Sequence, residues 1–202
     1  YNTPKCLLKV GNKPIIDYQM EAIKSLGITE ISIVVGYHRE MLIKHLRNNF
    51  PSFSYNFIIN HHYFETNTAF SLHMGKEFLN DDFILMNADV VYPKGLLRKL
   101  INSKHETALA VDIKSCGREE VKVIDGGADR IVAIGKELIE TQCLGEFIGV
   151  AKLSKDFCKD FSKSLSDLIE SGGLNDYFEA AIHPILGKKD IHYVDVSEFP
   201  CM

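Results

Sequence analysis

The chain has 202 residues, enough for one sizeable core. Its apolar content of 46% and charged content of 25% are ordinary for a globular protein, and a net charge of −4 argues against a mainly electrostatic nucleic-acid binder. No apolar run reaches membrane-spanning length, and the five scattered cysteines, none in a C-x-x-C pair, favour a reducing cytoplasmic setting over a disulfide framework or structural zinc site.

The chain opens on Tyr1-Asn2-Thr3-Pro4 without an initiator Met and closes on Phe199-Pro200-Cys201-Met202 without a terminating pattern, so both ends read as cut. Pro14 starts an apolar-periodic run through Ile16, Met20, Ile23 and Leu26 that Gly27 closes. Proline near the first turn and glycine past the last are helix punctuation. Residues 31–35 read as a strand broken by Gly36, residues 39–49 as a helix stopped before Pro51, and residues 55–59 as a second strand. Residues 69–79 are expected to be helical, residues 83–87 a strand and residues 95–101 helical again. Such alternation over short connections implies a parallel sheet wrapped by helices.

The rhythm then changes. Residues 107–113, 121–124, 131–134 and 147–153 read as strands with little room for helices, and Asp125-Gly126-Gly127-Ala128-Asp129 is a hairpin signal. Residues 156–170 and 176–186 return as helices, and residues 191–196 as a last strand. The expectation is a single domain over residues 1–202, in which an antiparallel part extends a parallel half and a ligand cleft lies between them.

The stretch most suggestive of chemistry is Phe83-Ile84-Leu85-Met86-Asn87-Ala88-Asp89. An apolar strand covered on both faces belongs to a parallel sheet, and open α/β sheets bind ligands at the carboxyl ends of their strands. Asp89 stands there as a ligand for a hard cation, or as a turn residue before Pro93. Lys5, just after Pro4, offers an ammonium for phosphate oxygens, although a lone lysine is more often a solvated surface residue. Asn67 or Thr68 caps a helix, or the segment from Asn67 to Ser71 turns amide and hydroxyl groups to the mouth of the sheet. His61-His62 does not make a metal site, because neighbours in extended chain point to opposite sides. Glu146 lies near Gly145 and Gly149, which permit close approach of a backbone or ligand. Lys122 and Lys136 would meet phosphate or guard a strand edge, and Asp176, Tyr177 and Glu179 open a late helix.

In order, the segments Thr3-Pro-Lys-Cys-Leu-Leu-Lys-Val-Gly-Asn-Lys-Pro-Ile-Ile, Ile33-Val-Val-Gly-Tyr, Asn67-Thr-Ala-Phe-Ser-Leu, Asn87-Ala-Asp89, Gly145-Glu-Phe-Ile-Gly-Val and Tyr193-Val-Asp-Val resemble the nucleotidyltransferase family, which couples a nucleoside triphosphate to a phosphorylated sugar or alcohol. The Asn-x-x-x-Ser-Leu and Gly-Glu-Phe-Ile-Gly pieces are similar to cytidylyltransferases acting on phosphocholine, aminoethylphosphonate or related small phosphoesters. The resemblance implies a three-layer α/β/α sandwich with a mostly parallel, Rossmann-like sheet and an antiparallel extension.

It further implies CTP and a small phosphorylated or phosphonate acceptor as substrates, with Mg²⁺ as cofactor. Lys5 and Asp89 would be catalytic, with Asp89 holding the metal. Gly36, Tyr37, Asn67, Thr68, Ser71, Asn87 and Ala88 would hold the nucleotide, and Lys136, Glu146 and Glu179 the acceptor. A sugar-1-phosphate enzyme using UTP, GTP or dTTP, and a non-catalytic nucleotide-binding domain of the same fold, are the alternatives. A fused partner domain or a homodimer stays open. Two family features are absent: the glycine-rich Leu-Ala-Ala-Gly-x-Gly-x-Arg loop expected before Pro4-Lys5, and a second metal aspartate expected shortly after Val196.

Overall fold

The computed structural model describes residues 2–201. A 3-10 turn, Lys5–Leu7, precedes the two-residue strands β1 (Lys9–Val10) and β2 (Lys13–Pro14), which form an antiparallel hairpin. Helix α1 (Ile15–Lys24) starts at Pro14, and Gly27 beyond it takes φ +75°, a region open to glycine at little cost. Strand β3 (Glu30–Val35), helix α2 (Arg39–Asn49) and strand β4 (Ser54–Ile59) follow within a residue or so of the sequence reading. Helix α3 (Thr68–Met74) is interrupted at Gly75 and continues as a 3-10 turn, Lys76–Phe78. Strand β5 (Phe83–Met86) and helix α4 (Lys94–Ile101) complete the first half.

The second half contains strands β6 (Ala108–Asp112), β7 (Lys122–Asp125), β8 (Ile131–Gly135) and β9 (Gly145–Leu153), then helix α5 (Lys155–Glu170). Helix α6 (Glu179–Ile182) and strand β10 (His192–Asp195) end the series. Residues 176–186 are not the continuous helix expected. α6 has four residues and passes into a 3-10 turn, His183–Ile185. Pro184 lacks the N–H that a longer α-helix would require there.

The sheet is mixed. Six strands run in the order β10-β6-β9-β7-β8, with β5 also paired to β9. β10 pairs β6 in parallel, while β5, β6 and β7 all pair β9 antiparallel. β3 and β4 make a separate parallel pair among the described residues. β5, expected among parallel neighbours, thus has an antiparallel one. An apolar run signals burial but carries no information about the direction of the strand beside it.

Helices cover both faces. Leu109 and Val111 of β6 point into a core with α5 residues Phe157, Phe161 and Leu165, and with Ala69 and Ile182. Ala108 and Ala110 point the other way, toward Met20 of α1, Leu46 of α2 and Leu97 of α4. Period-two alternation in one strand therefore feeds two cores, which makes the three-layer arrangement. Among the described residues no helix is long and apolar enough to cross a membrane.

Candidate active site

Strand β9 is the spine of the site. Lys122 of β7 and Asp112 of β6 both register opposite Glu146, and Gly135 of β8 registers opposite Lys122. Directly opposed residues share a face, so Lys122, Glu146 and Asp112 form one cross-strand row. Three residues on, Gly149 takes φ +79°, and a Cβ there would lie 2.4 Å from Asn87 Nδ2. The Asn87 amide donates to the Gly149 carbonyl at 2.8 Å. The two glycines flanking Glu146 thus serve packing by the chain itself: Gly149 admits Asn87, and Gly145 lies against the backbone of Asp112 and Ile113.

The Asn87–Val90 turn is held from below. Gln19 of α1 is buried, and its Nε2 donates to the carbonyls of Asn87 (2.8 Å) and Val90 (2.7 Å). Ala88 and Asp89 are exposed on the turn that this clasp supports. The Asp89 carboxylate has no hydrogen-bond or ion-pair partner among the described residues. Burial pushes the Cys6 thiol up to about 11, and the Asp89 charge adds to that rise. Cys6 shares a core with Tyr92 and Val90, which places the 3-10 turn that bears Lys5 near the Asp89 turn, and Lys5 is exposed on it.

On β9, Glu146 accepts an ion pair from Lys114 at 2.6 Å, and the same ammonium stands 3.2 Å from Asp112. The hydrogen bonds to Glu146 and Asp112 hold the Lys114 ammonium above its ordinary range. Sequence reasoning missed Asp112 and Lys114. The available signal was a polar Asp-Ile-Lys tail following the apolar run of β6.

Lys136 lies close enough to Glu179 for its charge to act on that carboxyl. The Lys136 ammonium lies 4.2 Å from the centre of the Tyr177 ring and 3.9 Å from Glu119. Glu179 is 4% exposed, and its Oε2 has no hydrogen-bond partner. Burial pushes its carboxyl up to about 7, against the opposing pull of Lys136. Lys122 does not face phosphate. It is buried, and its Nζ donates to the carbonyls of Lys136 (2.6 Å), Arg118 (3.3 Å) and Glu120 (3.3 Å). An ammonium has three protons, so none is left for a ligand.

The expected nucleotide loops are engaged by the chain itself. A Cβ on Gly36 would meet Tyr63 Cβ at 2.6 Å, and the Tyr37 ring lies 5.9 Å from that of Tyr63. The Asn67 side chain accepts from Thr68 N, which is the capping role. Ser71 Oγ accepts from Asn60, a buried amide that also donates to Thr66 and accepts from His62 N. The larger described cavity, about 350 Å³, lies at the amino ends of β6 and β10 between His105, Ser154, Lys189 and His192, and none of the predicted residues lines it.

The geometry thus gathers three groups: the exposed Asp89 turn with the Lys5 turn near it, the set of Asp112, Lys114 and Glu146 across β6 and β9, and a separate pair, Lys136 and Glu179, at the end of β8. An unpaired carboxylate beside ammonium groups suits a hard cation and anionic phosphates. A family model described as Nucleotidyl transferase matches residues 1–122. The chain is 33% identical over 176 residues to CTP:phosphoglutamine cytidylyltransferase of Campylobacter jejuni, covering 78% of this chain and 67% of that protein. It is 35% identical over 97 residues to choline-phosphate cytidylyltransferase of Streptococcus pneumoniae, covering 48% of this chain and only 40% of that protein. A solved structure of CTP:phosphocholine cytidylyltransferase from Streptococcus pneumoniae superposes with TM-score 0.79 at 20% identity, covering 96% of this chain and 81% of that one.

Proposed function

The chain belongs to the nucleotidyl transferase family, and from that premise we propose that the protein transfers a cytidylyl group from CTP to a small phosphorylated or phosphonate acceptor and releases pyrophosphate. The observation that carries the reading is the exposed, unpaired Asp89 carboxylate on a braced turn at the carboxyl end of β5, near the Lys5 turn. The similarity to two cytidylyltransferases supports CTP as the donor.

In this reading an oxygen of the acceptor's own phosphate or phosphonate attacks the α-phosphorus of CTP, and the pyrophosphate oxygen leaves. No protein nucleophile is needed, so the residues act by positioning and by charge. Asp89 holds Mg²⁺, whose chemistry is to neutralise phosphate charge so that two anionic substrates can meet. Lys5 stabilises charge on the phosphate oxygens. Gly36, Tyr37, Asn87, Ala88 and the Asn67–Ser71 segment border the nucleotide. Lys136, Glu146 and Glu179 border the acceptor, and Lys114 holds Glu146 in place. The five free cysteines accord with a reducing cytoplasmic setting.

The test is pyrophosphate release by the full-length protein with each of CTP, UTP, GTP and dTTP against a panel of acceptors. Turnover with CTP and phosphocholine- or phosphonate-type acceptors is expected. Turnover only with hexose 1-phosphates would establish the sugar-nucleotide alternative. Binding of nucleotide without any release would favour the non-catalytic one.

A further inference from the structure

Helix α3 begins on a segment that belongs to the acceptor side. Two backbone donors at its start, Asn67 N and Ala69 N, go to the carbonyls of Leu174 (2.9 Å) and Asp176 (3.1 Å). The Thr68 side-chain oxygen accepts from the Phe178 amide at 3.1 Å. Three hydrogen bonds within three residues thus tie the proposed nucleotide-side helix to the 174–178 segment.

Phe178 is where α6 starts. That helix has four residues, and no side-chain cap within its own segment satisfies its first donors. So short a helix has little stability by itself, and its start depends on what grips it. Thr68, 110 residues earlier, supplies the missing acceptor. The next residue is Glu179, buried with one oxygen unpartnered. A buried carboxyl without a full set of partners is held there by its backbone, since water would otherwise recover it.

We propose that Thr68 is a positioning residue: its hydroxyl anchors the start of α6 and so sets Glu179 in the acceptor site from the nucleotide-side helix. This rests on the reading of Glu179 as an acceptor-site residue. The tie also gives the two substrate regions a shared brace. A nucleotide that tightens the start of α3 tightens the start of α6 with it.

The test compares Thr68→Val, which keeps shape and removes the acceptor, with Thr68→Ser, which keeps it. Thr68→Val is expected to raise the KM for the acceptor about tenfold, as one lost hydrogen bond allows, and to raise it more than the KM for CTP. Thr68→Ser is expected to behave as the unsubstituted protein. In ¹³C NMR, the Glu179 carboxyl should titrate near its raised midpoint in the unsubstituted protein and lower in Thr68→Val, as water reaches it. A Glu179 midpoint unmoved by the substitution would overturn the proposal. So would a raised KM for CTP with the acceptor KM unchanged, which makes Thr68 a nucleotide contact. Should the protein transfer nothing from CTP, the proposed reaction fails while the NMR midpoint still tests the link. Should Thr68→Val not fold, exchange of the Phe178 amide in the unsubstituted protein decides: slow exchange supports the anchor, and exchange at the open-chain rate overturns it.

Discussion

At the scale of single residues, the same side-chain type takes opposite roles according to its surroundings. Lys122 and Lys136 are fourteen positions apart, and one is buried on three carbonyls while the other lies over a tyrosine ring beside a buried carboxyl. A lysine on a strand reads from sequence as an edge guard or a phosphate ligand, and burial of its ammonium leaves no periodic signal. Glu179 is similar: an acid at a helix start is expected to face water and complement the helix dipole, yet this one is buried. The sign of its effect on stability follows. Its folded carboxyl titrates near 7 rather than at its ordinary 4.5, so folding is favoured below the ordinary value, and that advantage is lost as pH rises through the folded one. The contribution is on the order of 3 kcal/mol across the window. Urea unfolding between about pH 5 and pH 8 should show Glu179→Gln losing less stability than the unsubstituted protein. Parallel profiles for the two would refute the burial argument.

At the scale of elements, the helices and strands with regular patterning were legible. α1, with Pro14 before it and Gly27 after it, and α2, with identical bounds, came from periodicity and punctuation alone. The expected helix over 176–186 failed because apolar spacing continues through Pro184 while its backbone donors do not. The Gly149 kink in β9 was legible as a need for close approach, but not as a need for Asn87. Gly149→Ala places a Cβ against that side chain at a left-handed φ. It is expected to cost about 1–3 kcal/mol of stability, seen as a lower melting temperature, and an unchanged melting temperature would contradict the packing account.

At the scale of the whole molecule, the α/β class and the covering of both faces followed from alternating elements, and the ordered motifs resembled the family to which the chain belongs. Strand pairing did not follow. β9 comes more than sixty residues after β5 and threads between β5 and β6, so neither local spacing nor crossover rules place it. That insertion sets Glu146 opposite Asp112 and Gly149 against Asn87, and so builds the candidate site. Asp89 was singled out for a related reason: wherever its strand neighbours come from, the carboxyl end of a buried strand is where an open α/β sheet is expected to bind ligands. The central claim is that this carboxylate serves cytidylyl transfer, and ³¹P NMR of the full-length protein with CTP, Mg²⁺ and a phosphocholine-type acceptor tests it most directly. The unsubstituted protein should produce new pyrophosphodiester resonances together with free pyrophosphate, and a folded Asp89→Ala variant should produce neither. Near-equal product from that variant would contradict the role given to Asp89.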